Sequence, residues 1–270
     1  LYSRFWHKVL NDLGHLKSKE PFKKYFAPGL IMGEDGAKMS KSLGNVVNPD
    51  DVVERYGADS LRLYEMFMGP LDQDKPWAMK GVEGVHRFLA KVWRVAFSED
   101  EDGVWISSGK VVAGENADLA KTTHQTIKRV EEAINSLRFN TAISAMMECT
   151  NAYTAAKEVP RDLFLTFLKL LSPFAPHLAE EVNSALGESE LVSEQTWPVL
   201  DESLLVESEI QLIVQVNGKL RARMTVPADI SKEDAEAQAL ADPNVTTHTD
   251  GKTVRKVIVV PGKLVNIVAN

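Results

Sequence analysis

The stretch GEDGAKMSKSLGN, residues 33–45, decides how the sequence is interpreted. It carries two lysines, Lys38 and Lys41, three residues apart in a run of glycine, serine and asparagine. Glycines allow the backbone to turn and to approach a ligand closely, and serine hydroxyls add hydrogen-bond donors. Two ammonium groups on such a turn suit the binding of a polyphosphate. On this spacing alone, however, two solvated lysines on a surface loop are the default explanation.

The composition is that of a globular protein with a sizeable core. The chain has 270 residues, of which 44% are hydrophobic and 26% charged, and this length predicts roughly two or three folded units. No apolar run reaches the length of a membrane span and the first residues lack the layout of a signal peptide, so we expect a cytoplasmic protein with no membrane partner.

Cysteine and histidine usage argues against disulfides and metals. The single cysteine, Cys149, has no partner for an internal disulfide, and no Cys/His cluster has the spacing of a zinc site. We therefore expect no bound metal and no structural zinc in this chain. Cys149 lies within a helical pattern, where a small buried residue is a better explanation than a nucleophile.

Charge is distributed unevenly along the chain, whose net charge is −7. Residues 1–98 have 15 Lys/Arg against 12 Asp/Glu, residues 99–209 have 8 against 20, and residues 210–270 have 8 against 6. A bound polyanion should therefore contact the two ends or local patches of the middle segment. Most acidic residues of that segment are best explained as solvated helix faces.

Helix signals begin just after the lysine-containing stretch. Asn48 is a typical N-cap, Pro49 fits the first helical position, and acidic residues follow in the first turn. Gly57 should end this helix. A second helix is expected from near Asp59 to Gly69-Pro70.

A helical bundle is predicted for residues 79–190. Apolar residues from Val82 to Ala96 recur at three- and four-residue steps, which indicates an amphipathic helix. Residues 98–116 are rich in acid, glycine and serine and predict an exposed loop or small hairpin. Similar apolar stripes then indicate a long helix, a second helix around Cys149 and two more after Pro160.

The pattern changes to strands at Ile210. Alternating residues on both sides of Asn217-Gly218 predict a hairpin, and a second hairpin should turn at Pro261-Gly262. Between them, Ser231 begins a capping-box pattern that opens a helix. Residues 210–270 thus read as a small ββαββ unit, and residues 191–209 as a connector that Trp197 packs against the bundle.

The segment Lys38-Met39-Ser40-Lys41-Ser42 matches the KMSKS signature of class I aminoacyl-tRNA synthetases letter for letter. Residues 35–77 as a whole resemble bacterial-type leucyl-tRNA synthetases, as do LYSRFWHKVLNDLG at the start and VQVNGKLR near the end, so the resemblance covers essentially the entire chain. Valyl enzymes share the MSKSLGN and GADSLR portions. GPLDQDKPW favours the leucyl family, and the strand-rich end differs from the coiled coil of valyl enzymes and the zinc module of isoleucyl enzymes.

This resemblance implies a multidomain, mainly α fold. Residues 1–78 would be the end of a Rossmann-type catalytic domain with the KMSKS loop. Residues 79–190 would be an anticodon-binding-type helical bundle, followed by the connector 191–209. Residues 210–270 would be a small C-terminal α+β domain that contacts tRNA.

The resemblance also implies an activity, in which leucine is activated by ATP, with Mg²⁺, to leucyl-adenylate and transferred to tRNA(Leu). Lys38 and Lys41 would be catalytic, because they can bind the departing pyrophosphate, and with Met39, Ser40 and Ser42 they would form the ATP-binding loop. No HIGH-type signature is present in the sequence. We therefore expect this chain to be inactive on its own. Separately, we expect it to be monomeric.

Basic residues near the end are candidates for tRNA phosphate contacts. Lys219, Arg221 and Arg223 alternate along a predicted strand and should share one face. The other candidates are Lys252, Arg255, Lys256 and Lys263. The alternative for these residues is a merely solvated strand face.

Two alternatives for the protein as a whole also stay open, a valyl- or isoleucyl-type synthetase and a non-catalytic tRNA-binding module.

Overall fold

The computed structural model describes residues 1–205, 209–228 and 230–270. The chain divides into two compact units, Leu1–Asp201 and Glu202–Asn270. Each unit has a hydrophobic core of its own. Among the described residues, no helix is long and apolar enough to cross a membrane.

The first unit is mainly helical, as the sequence predicts. Its α-helices are α1 (Tyr2–Asp12), α2 (Pro49–Tyr56), α3 (Ala58–Phe67), α4 (Met79–Ala96), α5 (Ala117–Asn135), α6 (Phe139–Ala155), α7 (Arg161–Leu171) and α8 (Pro176–Ala185). Its short strands pair as β1 (Ile31–Met32) with β2 (Lys75–Pro76), β3 (Phe97–Glu99) with β4 (Trp105–Ser107), and β5 (Val111–Val112) with β6 (Val159–Pro160). The antiparallel β3–β4 pair is the small hairpin expected within residues 98–116.

Local signals set the boundaries of α2 and α3. The Asn48 side chain accepts a hydrogen bond from the backbone N–H of Asp50 at 3.3 Å, and Pro49 takes the first helical position. Gly57 ends α2 with φ +85°, a backbone angle that favours glycine, and α3 starts at the next residue. The lysine-containing loop is therefore followed by two helices that are joined directly at Gly57.

The core of the first unit is formed by the predicted apolar stripes. On α4, the buried positions include Val82, Val85 and Val92. The Tyr153 ring on α6 packs edge-on against Phe164 and Phe167 of α7, and all three side chains are inaccessible to solvent. Cys149 is also fully buried, as expected, and burial raises the pKa of its thiol.

The second unit is a four-stranded sheet with two helices. Its strands β7 (Glu209–Val216), β8 (Lys219–Pro227), β9 (Val254–Val260) and β10 (Leu264–Ala269) are arranged in the order β8-β7-β10-β9, and its helices are α9 (Lys232–Ala241) and α10 (Pro243–Thr249). Strands β7 and β10 are parallel, and the other neighbours are antiparallel hairpins. Both predicted hairpins are confirmed, with positive φ at Asn217 and Gly218 in the first turn.

The prediction of one helix in this unit was wrong, because α9 and α10 make it a ββααββ arrangement. Asp242 caps α10 by accepting the N–H of Asn244 at 2.8 Å, and Pro243 occupies the first helical position. The N-cap half of the predicted capping box is confirmed, since the Ser231 hydroxyl accepts the N–H of Asp234 at 3.0 Å, and the Asp234 carboxylate accepts a hydrogen bond from that same hydroxyl at 2.7 Å. In the predicted connector, Trp197 packs against the core of the first unit, while residues 206–208 lie outside the described part of the chain.

Candidate functional site

The lysine-containing loop leaves β1 through a tight turn. The N–H of Gly33 donates to the carbonyl of Ala37 at 2.8 Å, and Met32 forms an antiparallel bridge with Lys38. Gly33 is buried, and a Cβ atom at this position would lie 2.6 Å from a carboxylate oxygen of Asp35. A side chain at position 33 would therefore displace the Asp35 carboxylate from its present place.

Met39 anchors the loop while its neighbours stay accessible. The Met39 side chain is half-buried and packs against the core of the first unit. Lys38 and Lys41, on either side of it, are exposed, and neither ammonium group has a hydrogen-bond or ion-pair partner among the residues the structure describes. The Ser40 and Ser42 hydroxyl groups lie 3.1 Å apart. An anion that reached this surface would meet two uncompensated cations and two hydroxyl groups.

Asn45 connects the two ends of the loop. Its side-chain oxygen accepts the N–H of Ser40 at 2.9 Å, and its side-chain nitrogen lies 3.2 and 3.3 Å from the two carboxylate oxygens of Asp35. Asp35 also accepts the N–H of Ala37 at 2.9 Å. On the other side, Glu34 accepts the N–H of Met79 at 3.2 Å, where a carboxylate is favoured by the dipole of α4. The roles of Asp35 and Asn45 were not predicted from the sequence, because their contacts depend on how the loop folds back on itself.

Two cavities of the first unit are not lined by the lysines of the loop. A cavity of about 410 Å³ adjoins the base of the loop and is lined by Asp35, Asn45 and Met79 among others. A cavity of about 670 Å³ lies between the start of α3, the middle of α4 and the start of α8, with Trp93 and Trp105 in its wall. Neither is lined by Lys38 or Lys41, so the described residues present these lysines on an open surface.

The basic residues of the second unit do not form the predicted row. A β-bulge in the β7–β8 ladder places Lys219 opposite Val216, which faces the helices, and Arg223 opposite Ile213, which faces solvent. Paired residues of an antiparallel ladder share a face, so Lys219 and Arg223 lie on opposite faces of the sheet. The prediction that all three residues share one face was therefore wrong, because the bulge adds one residue to β8.

Arg221 is the extra residue of this bulge. Its side chain is half-buried, and its Nε atom is buried with no hydrogen-bond partner among the described residues. The remaining candidates Lys252, Arg255, Lys256 and Lys263 are exposed, and the Lys252 ammonium group donates to the carbonyl of His248 at 2.9 Å. Whether these residues contact tRNA stays a prediction.

Two family descriptions match the chain. Residues 2–77 match the class I tRNA synthetases for isoleucine, leucine, methionine and valine, and residues 116–237 match the anticodon-binding domain of tRNA ligases. The first match contains the KMSKS loop and the second contains helices α5 to α8. The chain therefore belongs to the class I aminoacyl-tRNA synthetase family.

Within this family, the chain is similar to a leucyl-tRNA synthetase along its whole length. The agnB2 LeuRS of Agrobacterium radiobacter K84, solved as a ternary complex with tRNA and LeuAMS, is 32% identical with a TM-score of 0.72, over 100% of this chain. The chain covers 35% of that protein, about a third of its length. The resemblance indicated by the sequence is thus confirmed, for a part of such an enzyme.

Methionyl-tRNA synthetases of Mycobacterium tuberculosis give weaker matches. Two structures in complex with methionyl-adenylate are 18% and 20% identical, with TM-scores of 0.44 and 0.47. Each match covers 68% of this chain, and 42% and 41% of the respective methionyl enzyme. Scores at this level do not establish a shared fold.

Proposed function

We propose that this chain is the part of a leucine–tRNA ligase that carries the pyrophosphate-binding loop and the tRNA-binding units. In the first step of that reaction, a carboxylate oxygen of leucine attacks the α-phosphorus of ATP and the bond to pyrophosphate breaks. The leucyl group then passes from the adenylate to tRNA(Leu). The observation that carries the proposal is the pair of exposed lysines on either side of the anchored Met39, which have no ion-pair partner among the residues that the structure describes.

The two lysines suit the charge change of the first step. Negative charge grows on the pyrophosphate as it leaves, and ammonium groups held at that position stabilise the transition state more than the ground state. The Ser40 and Ser42 hydroxyls can add hydrogen bonds to phosphate oxygens. Because the Met39 side chain packs inwards, its contribution to nucleotide binding would come from its backbone and from holding the loop.

Magnesium would arrive with the nucleotide. Within the described residues, no group of three or more His, Cys, Asp or Glu side chains could hold a metal ion. The loop offers ammonium groups, which bind phosphate oxygens and do not ligate metal ions. The loop would therefore contribute cationic side chains to the proposed site.

The surface of α1 supports the view that this chain works within a larger protein. None of the residues of α1 is buried. Phe5 and Trp6 of α1 are 62% and 60% exposed, Leu13 just after the helix is 65% exposed, and Phe22 and Tyr25 are exposed as well. Exposed apolar surface of this extent is typical of a contact with another folded part. The absence of a HIGH-type signature from the sequence points the same way.

Leucine is favoured as the substrate by the similarity to LeuRS along the whole chain and by the GPLDQDKPW segment. A valyl- or isoleucyl-type ligase is the alternative within the family. The second alternative is a protein that binds tRNA without catalysing a reaction, and the intact KMSKS loop argues against it.

The test is pyrophosphate exchange by the complete protein that contains this chain. We expect exchange that depends on leucine and not on valine or isoleucine. Lys41→Ala should lower the rate of adenylate formation about 10²- to 10³-fold, equivalent to about 2–4 kcal/mol, with a small effect on the KM for leucine. Lys128→Ala, which removes an exposed lysine of α5 in the bundle, serves as the control.

Three outcomes would contradict the proposal. Exchange that depends on valine or isoleucine would assign the chain to the other ligases. Adenylate formation at the wild-type rate in Lys41→Ala would remove this lysine from catalysis. Binding of tRNA by the complete protein without exchange for any amino acid would favour the non-catalytic module.

A further inference from the structure

We propose that Asp35 and Asn45 form a latch that positions Lys38 and Lys41 for the departure of pyrophosphate. This inference rests on the proposed function and adds two positioning residues to it. The Asp35–Asn45 latch lies next to the lysines, and its side chains would act on phosphate only through the backbone that they hold.

The latch contacts the KMSKS backbone on both sides of Met39 through the Asn45 side chain. The Asn45 side-chain oxygen accepts the N–H of Ser40 at 2.9 Å, and its nitrogen lies 3.5 Å from the carbonyl oxygen of Lys38. The same nitrogen donates to the Asp35 carboxylate, at 3.2 and 3.3 Å from its two oxygens. One amide group therefore contacts the backbone before and after Met39 and connects it to the turn that precedes the loop.

Gly33 lies directly beside the two side chains of the latch. A Cβ atom on Gly33 would lie 2.6 Å from the Asp35 carboxylate and 2.9 Å from the Asn45 nitrogen, so a side chain at this position would displace one or both groups of the latch. The loop itself lies between β1 and α2, with no strand or helix of its own between Lys38 and Asn45. Side-chain hydrogen bonds therefore add to the restraint from the packed Met39 and from two backbone bonds within the loop, from the Leu43 N–H to the Ser40 carbonyl at 3.2 Å and from the Gly44 N–H to the Lys41 carbonyl at 3.3 Å.

The chemistry of the latch requires one amide and one carboxylate. Asn45 must donate to Asp35 and accept from Ser40 at the same time, which a carboxylate at position 45 could not do. Two facing carboxylates would repel each other and leave the Lys38 carbonyl without its donor. Exchanging the two residues restores a donor–acceptor pair with the direction reversed, keeps an acceptor for the Ser40 N–H and leaves the net charge of the loop unchanged, whereas the 3.5 Å contact with the Lys38 carbonyl is not restored.

Loss of the latch should affect the chemical step more than leucine binding. Misplacement of a catalytic group by about 1 Å can cost about 10²-fold in rate. We therefore expect Asn45→Asp to lower the rate of adenylate formation about 10- to 100-fold, with little change in the KM for leucine. The double variant Asp35→Asn/Asn45→Asp should recover to within a few-fold of wild type.

The experiment measures single-turnover adenylate formation by the complete protein, together with hydrogen exchange at the Ser40 amide. The Ser40 amide should lose protection in Asn45→Asp and regain it in the double variant. Asn116→Ala is the matched control, since it removes the N-cap of α5, where the Asn116 side chain accepts the N–H of Leu119 at 3.0 Å, far along the chain from the loop. It should leave the rate and the Ser40 protection unchanged.

The outcomes separate this inference from the proposed function. Absence of leucine-dependent adenylate formation in the wild-type protein would refute the proposed function, and with it the catalytic role of the latch. If the wild-type protein is active, a full rate in Asn45→Asp overturns the latch. Failure of the double variant to recover both rate and Ser40 protection overturns it as well.

Discussion

The carboxylate of Asp59 on α3 accepts the backbone N–H of Leu178 at 2.8 Å and so caps α8 from a position 119 residues earlier in the chain. The other carboxylate oxygen lies 3.4 Å from the His177 backbone nitrogen and 2.8 Å from its ring Nδ1. The residue before α8, Ala175, has no side chain that could serve as a cap. A helix that follows the KMSKS loop is thus fixed to a helix of the bundle.

Removal of this long-range cap should destabilise the first unit. Asp59 is only 7% exposed, and Asp59→Ala would leave the first N–H groups of α8 without an acceptor. We expect the free energy of unfolding to fall by about 1–3 kcal/mol. Urea denaturation of the 270-residue chain followed by circular dichroism measures this loss.

The control for this prediction is Glu54→Ala, which removes an exposed carboxylate from α2 and should change stability by no more than about 0.5 kcal/mol. Equal stability of Asp59→Ala and the control would show that the cap contributes nothing. Asp59→Asn should fall between the two, because its amide keeps one acceptor oxygen and places a donor near the other N–H groups.

Cys149 should report opening of the bundle. Its thiol is fully buried on α6, and burial raises its pKa, so the reactive thiolate is scarce at neutral pH and inaccessible to reagents. Since it is the single cysteine of the chain, any labelling by a thiol reagent reports this site.

We therefore expect slow labelling of the native chain at pH 8 and rapid labelling once urea unfolds the first unit. Labelling of the native chain as fast as that of a free thiol, without urea, would show instead that Cys149 is accessible.

The raised pKa of the Cys149 thiol also gives the sign of a pH effect on stability. Above the pKa of an unfolded cysteine, the unfolded state loses the thiol proton before the folded state does, so stability should decrease as the pH rises.

Local signals explain why much of the fold could be predicted. Asn48-Pro49 and Gly57 set α2 through their own backbone preferences, and Asn217-Gly218 sets a hairpin in the same way. Asp242-Pro243 carries the same information as Asn48-Pro49, and α10 could have been predicted from it. These features depend on residues within one turn of each other, which a sequence displays directly.

The features that could not be predicted depend on distant partners. The cap on α8 comes from Asp59 on another helix, and no local pattern reveals it. The bulge beside Arg221 depends on the register of β8 against β7, which strict alternation along one strand cannot show. At the candidate site, the KMSKS residues were evident from the sequence, whereas the roles of Asp35 and Asn45 required the closed loop.

Under the proposed function, the bulge leads to a prediction about which face of the second unit would contact tRNA. Helices α9 and α10 pack on one face of the sheet, and Leu212, Val214 and Ile267 are buried there. The opposite face is free of helices in the described chain and carries Arg223 and Lys256 on its two edge strands. A phosphate backbone lying on this open face could contact both of these residues, whereas Lys219 belongs to the other face.

In the complete protein, Arg223→Gln and Lys256→Gln should each weaken tRNA binding and reduce the slope of log K against log salt by about 0.7 to 0.9 units, because each contact releases counterions. The matched control Lys219→Gln should change the slope much less. Filter binding of tRNA over a series of salt concentrations provides the measurement.

An equal reduction of the slope in all three variants would mean that contacts with tRNA are not restricted to the open face. No reduction in any of them would identify these residues as a solvated surface. In each variant, leucine-dependent adenylate formation should stay near the wild-type rate, because none of the three lysine and arginine side chains belongs to the KMSKS loop.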